Sequence, residues 1–576
     1  MSERASRPGP MRASPPRAAH LPAWRLAYAL VAFALFLGAC ALGPDYQRPD
    51  APEPERYTSG AASLEYGMSA AGSEASGSAA AGSRQFIEPG AAIPASWWSL
   101  FESPELEAIV DRAIERSPSL ALARANLAVA REAVVVARGS FFPQIDANVS
   151  AQRARTPALR STATTATSDL YAIGGTVSYV VDVFGAIRRG VEQQAALEAA
   201  QRHELSAAWL ALTGNAVTLS FAAASTVAQI DAVEQVLELD RRNLELVEQR
   251  FEIGKATRAD VLLARTQLAA DRTLLPPLRQ QLAVARHAVS ALVGDVPAEW
   301  SPPELDLERF ALPRALPLSL PSELVRQRPD VLAAEAQLHA ASAAIGVATA
   351  QLFPSLTLSG SIAQDALELG SLFSGPATAW SVAGRIGAPI FRGGILRARR
   401  RAAIAAYEAS LATYQLTVLQ GFQQVADVLR ALENDAALVE ASASLVENAS
   451  GSLALQQASY AIGKTSLIQL LVASRTHQQA RSGLAQARGR QLQDTALLFV
   501  ALGGGWWDED RLPPIAPASA PQGPRDHGSL RQHPAVGASG ADTGDGAAAD
   551  RARRGVRMAS GGRRDQLSVA ASSNQR

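Results

Sequence analysis

The sequence predicts a mainly α fold with a small β part, in which one unit, two strands followed by a long coiled-coil helical hairpin, is built twice. Landmarks recur in register at an offset of about 210 residues. Pro118, Leu127, Val134, Ala137 and Phe142-Pro143-Gln144-Ile145 are answered by Pro329, Leu338, Ile345, Ala348 and Phe353-Pro354-Ser355-Leu356, and Ile253-Gly254-Lys255 returns as Ile462-Gly463-Lys464. Two stretches, Ile187 to about Arg250 and Ile395 to about Tyr460, contain no proline. Four short segments alternate apolar and polar residues, the period of a strand with two unlike faces.

The N-terminus carries Arg4, Arg7, Arg12, Arg17 and Arg25, then an apolar run from Leu26 to Leu37 and a small-residue exit, Gly38-Ala39. Charge, length and exit read residues 1–39 as a signal peptide. Cys40 is the only cysteine, so no internal disulfide can form. Its place directly after Leu37-Gly38-Ala39 resembles a bacterial lipobox, whose thiol is acylated, with palmitate among the acyl chains. Ala41, in place of Asp, implies sorting to the outer membrane. Residues 40–100 read as an extended segment, rich in Gly, Ala and Ser.

The first repeat spans 101–300. From Pro104, Ala, Leu, Glu and Arg at helical spacing predict one helix to about Ser140. A hairpin over about 143–184 follows: Ile145, Ala147, Val149 and Ala151 alternate with Asp146, Asn148, Ser150 and Gln152, and Val177, Tyr179 and Val181 alternate with Ser178 and Asp182. The proline-free stretch then gives a helix of roughly 95 Å at 1.5 Å per residue. Its seam is Ile230, Val233, Leu237, polar Asp240, Leu244, Val247 and Phe251, the three-and-four spacing of a coiled coil. Gly254 turns the chain, and a second long helix returns. Pro276-Pro277 should break that return, since interior proline removes a helix hydrogen bond and clashes with the preceding turn.

After a linker at 301–320, the second repeat (321–506) supplies a hairpin over about 354–390 and a helical hairpin turning at Gly463. The tail, 507–576, is rich in Gly, Ala, Ser and Arg without periodicity and is expected to be disordered. The only two lysines, Lys255 and Lys464, occupy equivalent places beside the two turns. Compositional bias and a functional role both account for that.

Composition excludes several classes. Lys plus Arg balance Asp plus Glu at 54 each, which gives no reason to invoke nucleic acid. The seven histidines form no metal-ligand spacing, no phosphate loop occurs, and no enzyme constellation, cofactor or metal site is predicted. Four strands cannot close a membrane barrel, and an open edge in hydrocarbon leaves unpaired backbone groups. The barrel must be shared: two copies would give eight strands, three would give twelve and a lumen.

Cys40 with Pro44-Asp45-Tyr46-Gln47-Arg48-Pro49, Phe142-Pro143-Gln144-Ile145, Ile253-Gly254-Lys255 through Asp260-Val261-Leu262, Leu320-Pro321-Ser322 with Arg328-Pro329-Asp330-Val331-Leu332, and Ala501-Leu502-Gly503-Gly504-Gly505-Trp506 resemble the TolC/OprM-like outer membrane efflux factors of the lipoprotein branch. The resemblance covers about residues 40 to 506. It implies a homotrimer with a twelve-stranded β-barrel in outer-membrane lipid, continuing into an α-helical periplasmic tunnel. It further implies docking to a periplasmic adaptor protein and an inner-membrane pump, which would set substrate choice. A periplasmic coiled-coil scaffold without a pore is the alternative outside the channel class, against which the alternating strands argue. An exit duct for protein secretion is a second alternative, made less favourable by the lipobox.

The resemblance also assigns roles. Gly254, Lys255, Gly463 and Lys464 would form the periplasmic tips that contact the adaptor. The family closes its tunnel with acidic rings six and nine residues after the second glycine; here those positions are Gln469 and Val472, with Asp260 acidic only in the first repeat. The family's arginine two residues after the glycine is Thr465, whereas its tyrosine stands as Tyr460. The closure should therefore carry less negative charge.

Overall fold

The computed structural model describes residues 41–50, 57, 85–156, 166–319 and 321–505. The predicted signal peptide, Cys40, most of the extended segment and the 507–576 tail lie outside them.

Strands β2 (Gln144–Thr156) and β3 (Ala166–Val181) form the first hairpin, and β5 (Ser355–Ala366) and β6 (Thr378–Gly387) the second. The two hairpins join as one antiparallel four-stranded sheet in the order β2-β3-β5-β6. Register sets Ile145, Val177, Gly360 and Val382 in one row across the sheet and Ala147, Gly175, Ile362 and Trp380 in the next. Because side chains alternate faces with period two, every strand sends its apolar set to the same side. That side is bare: Ile145, Trp380 and Val382 are 79%, 75% and 81% exposed. The opposite face carries Asp146, Thr176, Ser361 and Ser381, the last two hydrogen-bonded at 2.8 Å. Towards the end of the first hairpin the apolar pairs give way to an Arg153–Asp169 ion pair at 2.8 Å. Among the described residues β2 and β6 each keep one edge unpaired.

The stretch predicted as one helix from Pro104 is two, α1 (Pro104–Arg116) and α2 (Pro118–Gly139). Pro118 disfavours the helical region for the residue before it, and Ser117 is extended, with ψ 125°. The long helices α3 (Ala186–Glu252) and α8 (Ile395–Ala461) each run 67 residues, roughly 100 Å. The first return is split into α4 (Arg258–Arg272) and α5 (Leu275–Val293). The break falls just before Pro276-Pro277, because a first helical turn tolerates proline and an interior does not. The second return, α9 (Leu467–Ala501), has no such break.

Between sheet and tips lies the largest apolar core, where Trp97, Phe101, Phe221 and Phe499 are fully buried and Trp97 stacks on Phe499 at 5.4 Å between centroids. Two short strands that the sequence does not reveal, β1 (Phe86–Pro89) and β4 (Ala315–Leu318), pair in parallel beside it. They tie the N-terminal segment to the linker between repeats. The Arg-Pro-Asp motif after α6 (Pro321–Gln327), at the start of α7 (Pro329–Ala350), has a structural role. Buried Arg328 donates to the Ala501 carbonyl at 2.9 Å, closing the end of α9, and pairs with Asp330 at 2.6 Å.

Candidate functional site

The far ends of the two helical hairpins are built alike. At the first, Gly254 takes φ +69° in open space, and the Lys255 and Ala256 amides both donate to the Arg250 carbonyl, at 2.8 and 3.2 Å. At the second, Gly463 takes φ +75° and the Lys464 amide donates to the Ser459 carbonyl at 2.9 Å. A positive φ is what glycine tolerates at a helix C-terminus. Both glycines and both lysines are exposed, at the outermost points of the hairpins.

The residues after each turn restart a helix through a capping box. In the first, the Thr257 amide donates to Asp260 at 2.8 Å while the Asp260 amide donates to the Thr257 hydroxyl at 3.2 Å. The Thr257 amide and hydroxyl hold the Asp260 carboxyl below its ordinary range. In the second, Gln469 takes that part: its side-chain oxygen accepts from the Ser466 amide at 3.2 Å and from the Thr465 hydroxyl. Gln469 thus preserves the cap and removes the charge. Val472 is 60% exposed.

Tyr460 is not poised on a surface; it is buried, and Arg250 covers its ring with the guanidinium 4.4 Å from the centroid. The same guanidinium donates to the Tyr460 and Ala461 carbonyls, both at 2.8 Å. An arginine of the first hairpin therefore closes the last turn of the second hairpin's outgoing helix, where cations are favoured. The sequence reading missed Arg250. The signal was there, since the matching position of the second repeat is Ser459 and the internal symmetry fails at that point. Within the first hairpin, Arg265 also pairs with Glu248 at 2.6 Å.

At the sheet end of the helices, the segment directly after Cys40 is clamped. The Leu42 amide donates to the Phe184 carbonyl at 3.2 Å. A side chain on Gly185 would fall 2.8 Å from the Ala41 Cα, and one on Gly43 would fall 2.5 Å from the Gly346 Cα. These glycines let the backbone thread between α3 and α7. Arg189, only 5% exposed, fixes the thread by pairing with Asp45 at 2.6 Å and Glu192 at 2.7 Å. Ala41 thus lies beside the start of α3, a few residues below the end of β3.

A sequence profile described as outer membrane efflux protein matches residues 109–295 and 320–504. The chain belongs to the outer membrane efflux protein family. It is 32% identical over 425 residues to the pyoverdine export outer membrane protein OpmQ of Pseudomonas aeruginosa, covering 71% of this chain and 87% of OpmQ. It is 29% identical over 423 residues to the probable efflux pump outer membrane protein TtgC of Pseudomonas putida, covering 73% and 87%. Among solved structures it is similar to the outer-membrane channel OprN, with a TM-score of 0.72, 28% identity, and coverage of 81% of this chain and 100% of that one. The open MtrE channel of Neisseria gonorrhoeae gives 0.65, 26% identity, and coverage of 81% and 98%. The fold is that of the outer-membrane efflux channels, and the chain is an outer-membrane transport conduit of that family.

For this family member, Arg250 adds hydrogen bonds to the apolar packing that joins one tip to the other. Arg250→Ala removes two charge-assisted hydrogen bonds and the ring contact, so the Gly463 and Lys464 amides should exchange with solvent about tenfold faster or more. Hydrogen-exchange mass spectrometry of the assembled protein measures this. Unchanged exchange at the second tip would show that Arg250 does not hold it.

Proposed function

We propose that three copies of this chain close a twelve-stranded barrel and form the passive exit duct of a tripartite efflux system for small molecules. The observation that carries the reading is the single four-stranded sheet with one bare apolar face and two unpaired edges, continuous with helices roughly 100 Å long. Three sheets make a barrel with an open lumen, polar side inward and apolar side to lipid. The helices extend that lumen through the periplasm. Small-molecule cargo is supported by relatives named for pyoverdine export and for efflux.

On this reading the exposed tips at Gly254, Lys255, Gly463 and Lys464 meet a periplasmic adaptor, and an inner-membrane pump supplies the energy. Cys40 carries the lipid anchor. The clamp on residues 41–45 supports this: it holds the residue after Cys40 close to the membrane end of the duct, where an acyl chain can enter the inner leaflet. Acylation at Cys40 predicts acyl mass on the mature N-terminal peptide, absent in Cys40→Ser because a hydroxyl cannot form the thioether. Mass spectrometry tests it, and a wild-type peptide without acyl mass would refute the anchor.

The gate lies near the second tip, at Tyr460, Thr465, Gln469 and Val472, with Asp260 of the first tip alongside. Acidic rings at a narrow lumen bind multivalent cations by concentrating negative charge. Gln469 and Val472 lack that charge, so this duct resists such block. In a planar bilayer the purified protein should conduct, with weak block by a trivalent cation added on the periplasmic side. The Gln469→Asp, Val472→Asp double variant should be blocked more strongly. No conductance would overturn the duct; tight wild-type block unchanged by the double variant would place the closure elsewhere.

A further inference from the structure

The coiled-coil seam of the first hairpin contains a carboxylate where packing calls for an apolar side chain. Asp240 on α3 is 2% exposed, and among the described residues no donor meets either of its oxygens in good hydrogen-bond geometry. What faces it is a second acid, Asp271 on α4, 7% exposed, and the buried Ser474 hydroxyl on α9. Two apolar clusters flank the site. Towards the tips lies the cluster of Val247, Val261, Leu467 and Leu470; on the other side of Asp240 along α3 lie Val233 and Leu237, which cluster with Leu268. Asp271 also sits one residue before the end of α4, at the helix break enforced by Pro276-Pro277. The acid pair therefore occupies a hinge about 14 residues, roughly 21 Å, above Gly254.

Two adjacent buried carboxylates cannot both ionise without repulsion and desolvation, whereas one proton between them satisfies both. We infer that the Asp240–Asp271 pair is a proton-operated lock on the hinge of the first hairpin, holding the tip packed while it shares a proton and loosening it when that proton leaves. The role as a gate control rests on the tips being the closing end of the duct. Burial first, and then Asp271, push the Asp240 carboxyl up to about 7. The packed site thus keeps a proton that an opened, hydrated Asp240, back near its ordinary range, would release. Packing is strongest below the ordinary carboxylate range, weakens by up to about tenfold per pH unit for one proton as pH rises towards about 7, and changes no further above it.

The other groups around the pair do not supply this response. On α3, Asn243 is neutral, and Arg241 and Arg242 pair outward with Glu238. On α4, Gln267 donates to Asp271 at 2.8 Å. On α5, Arg279 pairs outward with Glu234. On α9, Arg475 is exposed, and burial together with Arg481 pushes His477 below its ordinary range, a shift that favours packing as pH rises and so runs opposite to the acid pair. A second buried acid, Asp435 on α8, is also pushed up to about 7, by burial and Asp494, but it lies farther from the tips.

Spin labels on cysteines replacing Lys255 and Lys464 in the assembled protein report tip spacing by pulsed electron resonance, with bilayer conductance recorded on the same samples. Between about pH 5.5 and pH 8.5 the wild-type spacing should broaden and lengthen. Asp240→Asn, whose amide can donate to Asp271 as the protonated acid does, should keep the low-pH spacing at both values. Asp271→Asn should also lose the response, and Asp435→Asn should retain it. A wild type that does not respond, or an Asp240→Asn or Asp271→Asn variant that responds like wild type, would overturn the lock. A tip that responds in a protein that never conducts would contradict the duct reading while supporting the lock.

Discussion

In hydrocarbon every backbone N–H and C=O must find a protein partner, at a cost of several kcal/mol for each one that does not. The outer edges of β2 and β6 are rows of such groups, and no strand among the described residues pairs them. From that constraint much of the architecture follows. The sheet must join copies of itself, its apolar side must face outward all the way round, and the helices beneath must run parallel to one another from each copy. The shared row of Ile145, Val177, Gly360 and Val382 shows that both hairpins already obey one common inside and outside.

The duplication then supplies two nearly equal hairpins that differ at and near their tips. Asp260 and Gln469 make the same capping box, but one is charged and the other is not. Arg250 has no cationic counterpart in the second repeat, and it fastens one tip to the other. Only the first return is broken by prolines, and beside that break stands the buried acid pair. A tip with one continuous and one hinged return can move asymmetrically. The sheet end is the opposite case, with glycines at 43, 185 and 346 bringing backbones into contact that a Cβ would forbid.

Much of this was legible in the sequence because its carriers are local. Proline-free runs, the alternation around Ile145 and Val177, and the glycines of the turns each act through neighbours a few residues away. Ser117 was misread, since the helical spacing continues across it and only the proline after it forces an extended residue. The β1–β4 pair was not visible, because four-residue strands carry too little periodicity and their pairing partners are far apart in sequence. Asp240 stood out as the polar member of an apolar seam. Its partners did not, since neither Asp271 nor Ser474 is marked by any local pattern and only the fold brings them together. Arg250 finds its acceptors, carbonyls on the other repeat, only in the fold, and the sequence marks it solely by the failure of the internal symmetry at Ser459.

The shared barrel is the claim on which the rest stands, and stoichiometry tests it most directly. Light scattering of the purified full-length protein in detergent, corrected for bound detergent, should give the mass of three chains. A monomer that retains its full strand content, or a dimer closing eight strands, would contradict it.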